Sequence, residues 1–123
     1  MDSKSLRRIA KQAKEKRLQE EKLYYRLELD KEVQRLYTKI QSLIDGGIFH
    51  KLAQEGCTTL HVGYVGRFDA KKCEYNCMTK YDIYLELTRR YSKYKGHKIR
   101  LKKVYVNDLF GPIHSGYKLL VIM

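Results

Sequence analysis

The chain has 123 residues, 43% apolar and 33% charged, with a formal charge of +12, one proline, three cysteines, no tryptophan and eleven tyrosines. That length fits one compact domain with an appended arm, and the composition is neither collagenous nor low-complexity. The longest apolar run, residues 119–123, is far short of the roughly 20 residues of a membrane span. The basic start lacks the apolar stretch of a signal peptide, so the expectation is a reducing compartment, cytoplasmic or nuclear, with no membrane partner.

In chain order, residues 3–44 read as one long helix, because they hold no proline and glycine first occurs at Gly46. Residues 1–17 carry Lys4, Arg7, Arg8, Lys11, Lys14, Lys16 and Arg17 against Asp2 and Glu15 and lack an apolar stripe, which makes them a basic helical arm. Over residues 18–45 the positions Leu18, Tyr25, Leu29, Val33, Leu36, Ile40 and Leu43 recur with a helical period. This stripe is about 40 Å long, against a radius of gyration of about 14 Å for a globule of this length. The helix is therefore expected to project and to need a protein partner or a second copy.

Residues 46–123 are expected to form a small α/β domain. Asp45-Gly46-Gly47 breaks the helix, Asp45 is placed to cap a short helix over 47–54, and Gly56 stops it. Residues 58–65, β-branched and bounded by glycines, read as a strand, and 66–78 as a loop without periodicity. Thr79 and Asp82 open a second helix with a capping box. Its inner face would be Tyr84, Leu87, Tyr91 and Tyr94, and it would run to about residue 95 with Gly96 as its stop. Residues 98–106 follow as a strand whose alternation slips, predicting a bulge near Lys102-Lys103. Residues 117–123 complete the chain as a buried strand. The fold class is α+β, a long N-terminal helix and then a mixed three-stranded sheet packed by helices. Its first two strands are joined by a helical crossover and its last two form a hairpin.

The charge is uneven. Residues 1–17 carry a net +5, residues 18–54 are neutral, and eight cations with no acid fall between Arg89 and Lys103. Two such patches in one small domain favour a polyanion. Lys98, Arg100 and Lys102 alternate on one strand face as phosphate contacts, joined by Arg89, Arg90 and Lys93 and, on the arm, by Arg7, Arg8, Lys11, Lys14 and Arg17. Tyrosines interleave these cations, and Tyr105 is the one read as a base-stacking residue, a combination suited to single strands or RNA loops. Tyr91 and Tyr94 read as core.

Phosphate-loop, dinucleotide-binding, zinc-protease and nucleophile-elbow motifs are all missing, so no enzymatic role is expected. One arrangement has the ligand types of zinc: Cys57, His61, Cys73 and Cys77. On an extended strand Cys57 and His61 would stand about 13 Å apart, too far to share one ion. Reduced cysteines without a cofactor are the preferred reading.

Residues 40–123 resemble small uncharacterised helix-strand-helix-strand-strand domains of large DNA viruses and phages. The segments carrying the likeness are Leu52-Ala53-Gln54-Glu55-Gly56, Thr58-Thr59-Leu60-His61-Val62, residues 83–87, Gly96, residues 99–106 and 119–123. The resemblance implies a protein of a virion or a transcription assembly and transfers no functional residue. The function expected from the sequence is a non-enzymatic nucleic-acid-binding accessory protein, for DNA or RNA, within a larger assembly. The alternative is a structural or scaffold protein docking on acidic protein partners.

Overall fold

The computed structural model describes residues 2–66, 78–106 and 114–123. The chain folds as α1 (Ser3–Asp45), α2 (Ile48–Gln54), β1 (Thr59–Gly66), α3 (Lys80–Arg90), β2 (Lys93–Tyr94), β3 (His97–Val106) and β4 (His114–Ile122). It is an α+β fold with a long N-terminal helix. The Asp2 carboxylate accepts from the Ser5 amide at 2.8 Å and starts α1. From there 43 residues run unbroken, about 65 Å of helix.

Only the second half of α1 belongs to the globule. Val33 and Ile40 are fully buried, with Leu29, Leu36, Tyr37 and Ile44 packed beside them. The Tyr25 hydroxyl donates to Asp82 at 3.2 Å. The stripe read from the sequence is thus the face that α1 turns to its own domain, from about Tyr25 onward. Leu6, Ile9 and Leu23 stay exposed on the projecting part, as does Leu27 just beyond Tyr25.

The capping box of α3 forms as expected, Thr79 accepting from the Asp82 amide at 3.1 Å and Asp82 from the Thr79 amide at 3.1 Å. The helix ends five residues early, at Arg90. The Tyr91 ring stacks on Tyr37 at 3.7 Å between centroids, which pulls the chain out of helical geometry. Lys95 and Gly96, both at positive φ (48° and 83°), then form a two-residue turn between β2 and β3, with the twist that tight hairpins favour. Asp45 does not cap α2; Gly47 precedes that helix without a side-chain cap.

The sheet is four-stranded in the order β1-β4-β3-β2, and every pairing is antiparallel. This replaces the expected mixed three-stranded sheet. The physical reason lies in β4, whose Leu119, Leu120 and Val121 are buried in succession. Such a strand belongs at the centre of a sheet, so it separates β1 from β3, and the crossover through α3 carries the chain from β1 at one edge past two strands to β2 at the other instead of joining neighbours. The pairing of β3 with β4 is continuous from Lys98 to Val106, so the bulge expected near Lys102-Lys103 is absent. The irregularity lies in β1, between His61 and Gly63.

The three helices of the described residues cover one face of the sheet. Phe49, Val33, Ile40, Tyr84 and Leu87 close over Val65, Ile99, Leu119 and Val121. At Gly63 a side chain would run into the buried Tyr84 hydroxyl. The expected loop over 66–78 and the turns after Val106 lie mostly outside the described residues.

Candidate nucleic-acid interface

Alternation along paired strands fixes which side chains occupy the other face. Lys93 pairs with Lys98, and Lys98 with Ile122, which pairs with Thr59. The next row is Arg100, Leu120 and His61, and the one after it Lys102, Lys118 and Tyr64. Rows repeat about 6–7 Å apart along the strands, and neighbours within a row lie about 4.8 Å apart. No acidic side chain occurs among these positions, and no helix of the described residues packs on this face. His61, Tyr64, Lys93, Lys98, Arg100 and Lys102 are exposed and Lys118 is half-buried. Leu120, at the centre of the middle row, is buried, as expected where long basic side chains lay their methylenes over an apolar centre.

Tyr64 has an unusual seat. It lies diagonally across the sheet so that its ring edge and hydroxyl occupy the space above Gly116 where a side chain would stand. Gly66 pairs with Gly116, so two adjacent strands present bare backbone there. The ring is 43% exposed.

The structure divides the sequence-predicted residues into three groups. Lys93, Lys98, Arg100 and Lys102 come together on the open face. Arg89 and Arg90 do not, because they belong to the helical layer. Arg89 grips Glu86 with two donors, and Arg90 donates to Glu86 at 2.6 Å and to Asp30 of α1. The Arg89 hydrogen bond, reinforced by Arg90, holds the Glu86 carboxyl down at about 2 against its usual 4.5. Arg90 thereby ties α3 to α1, while Arg89 stays within α3. Lys95 is likewise committed, donating to Asp45 at 2.6 Å beside the Tyr94 hydroxyl. Those two hydrogen bonds lower the Asp45 carboxyl.

Tyr105 also departs from its expected place. Pairing puts it on the side of Lys103, with the Lys103 ammonium 5.4 Å from its ring centroid. It does not share a face with Lys98, Arg100 and Lys102. The arm residues Arg7, Arg8, Lys11, Lys14 and Arg17 form the third group, all exposed on projecting α1.

Sequence reading missed Lys118, Tyr64 and His61 as parts of one surface. Lys118 is the lone cation of an apolar segment, and only the strand order brings it between Lys102 and Tyr64. Of the zinc candidates, Cys57 is exposed ahead of β1 and His61 is on the open face, while Cys73 and Cys77 lie outside the described residues. Among the described residues no group of three or more His, Cys, Asp or Glu side chains could hold a metal ion, and no helix is long and apolar enough to cross a membrane. Comparison with family models, with curated proteins and with solved structures finds no match for this chain.

Proposed function

We propose that the chain is a nucleic-acid-binding accessory protein that holds phosphate backbone on the open face of its sheet and on its basic arm. The observation that carries this reading is the acid-free surface formed by Lys93, Lys98, Arg100, Lys102 and Lys118. Cations spaced by strand geometry, with no carboxylate partner among the described residues, release counterions when phosphates bind them. Steering of a polyanion by the exposed arm adds to the rate of encounter.

The test is binding of labelled oligonucleotides between about 50 and 200 mM salt. Affinity should fall steeply with salt. Arg100→Glu and Lys102→Glu should each weaken binding for all sequences alike and reduce the salt slope by about 1 per lost phosphate contact. A flat salt response, or charge reversals without effect, refutes the reading.

A second role, docking within a larger assembly such as a virion or a transcription complex, is favoured by one further observation. Leu6, Ile9 and Leu23 are exposed on the projecting part of α1. Removal of residues 1–17 separates the two roles. It abolishes assembly incorporation and spares oligonucleotide affinity if the arm is only a docking element, and it lowers the affinity if the arm holds phosphate.

A further inference from the structure

We infer that the open sheet face selects single-stranded nucleic acid, with the Tyr64 ring as the seat for an unpaired base. The inference rests on the phosphate-binding reading and adds to it a substrate class and a stacking residue.

The placement of Tyr64 is the starting point. A phenol ring 43% exposed on a solvent-facing sheet gains less from burial than it would in the core. Yet the surface is shaped around it, since Gly116 leaves the space that the ring edge occupies. A tyrosine standing upright on the sheet would offer only its edge to a ligand. One that leans along the sheet over a glycine keeps a face available, and a base stacked on an aromatic face contributes independently of its identity.

The neighbours of the ring fit the rest of a nucleotide. Tyr64, Lys118 and Lys102 form one cross-strand row, so two lysines stand in the row from which the ring leans, within reach of the sugar-phosphate of a base stacked on it. In the adjoining row His61 and Arg100 flank Leu120. Imidazole and guanidinium planes are themselves stacking surfaces for unpaired bases. Duplex DNA or RNA presents phosphates to these cations but keeps its bases in the stack, so Tyr64 contributes nothing to it. The open face therefore separates single strands from duplexes by its aromatic residue and holds both by charge.

The experiment measures anisotropy of labelled single-stranded DNA, single-stranded RNA and a duplex of equal charge, with the full chain at one salt concentration. Tyr64→Ala should weaken single-strand binding by roughly 5- to 100-fold and leave duplex binding unchanged, while Tyr64→Phe restores the single-strand affinity. Gly116→Ala should displace the ring and reproduce the loss. The loss should not deepen when Gly116→Ala is combined with Tyr64→Ala. Equal losses on single strand and duplex, or none on either, overturn the inference, as does a Gly116→Ala loss that persists in full without Tyr64. In those cases Lys102→Glu still weakens both ligands if the phosphate-binding reading holds. Failure of the wild-type chain to bind any of the three probes overturns both, and so does binding to polyglutamate as tight as to the oligonucleotides. Comparing the DNA and RNA strands shows which sugar the surface prefers.

Discussion

Two glycines that look alike in the sequence face opposite requirements. Gly63 lies on the helix-covered side against Tyr84, which is 4% exposed and cannot retreat. Gly63→Ala should therefore cost about 1–3 kcal/mol of stability by overpacking, seen as a lowered urea midpoint. Gly116 lies against Tyr64, whose ring can swing into solvent, so Gly116→Ala should shift the same midpoint by under about 0.5 kcal/mol. Glu86 makes a second residue-level prediction. Its carboxyl titrates near 2 in the folded chain against about 4.5 when free. The ionised group therefore stabilises the fold fully above about pH 4.5, and the contribution is lost as the pH falls toward 2. Glu86→Gln should remove roughly 1 kcal/mol at neutral pH, in keeping with a solvent-screened ion pair, and should flatten that acid limb in pH-dependent denaturation. Gly63, Gly116 and Glu86 were all visible as residues in the sequence. What each one meets was not, because Tyr84 and Tyr64 reach them only after the strands have paired.

At the level of elements, legibility followed locality. α1 was readable because 43 residues without proline or glycine with a 3.6-residue stripe admit few alternatives. The α3 capping box was readable because its two partners stand three residues apart. The end of α3 was misread because Tyr84, Leu87, Tyr91 and Tyr94 keep a helical spacing, although Tyr91 and Tyr94 are claimed by Tyr37 and Asp45 of α1. Strand order was the least legible feature. It depends on β4 being buried at the centre, and a run of apolar residues gives no neighbour list. The candidate surface was half legible for the same reason: Lys98, Arg100 and Lys102 alternate along one strand, whereas Lys118, Tyr64 and His61 join them only across strands. Tyr37→Ala removes the ring on which Tyr91 stacks and Tyr94 abuts, and should destabilise the fold by roughly 1–3 kcal/mol, as truncation of a half-buried aromatic does. A thermal melt of this variant checks the claim that this cluster fixes the junction between α3 and β2.

For the whole molecule, the formal charge of +12 resolves into committed and available parts. Arg89, Arg90 and Lys95 are committed to Glu86, Asp30 and Asp45. Two groups of exposed cations among the described residues stand on the open sheet face and on the arm, with the helical layer between those two surfaces. Residues 3–17 contribute nothing to the core, so their removal should leave the melting temperature of the chain within about 2 °C, a change of under about 0.5 kcal/mol. The projecting part of α1, residues 3–24, reaches about 33 Å beyond the globule. On the proposed nucleic-acid-binding reading, that reach would make the protein a two-point tether whose second contact is intramolecular once the first has formed. Oligonucleotides too short to pass from the sheet to the arm should bind with the affinity of one surface alone. Those long enough to bridge them should gain avidity set by effective concentration, up to roughly 10²- to 10⁴-fold. A plot of affinity against strand length should therefore rise in a step, and shortening α1 by whole turns should move that step to shorter strands.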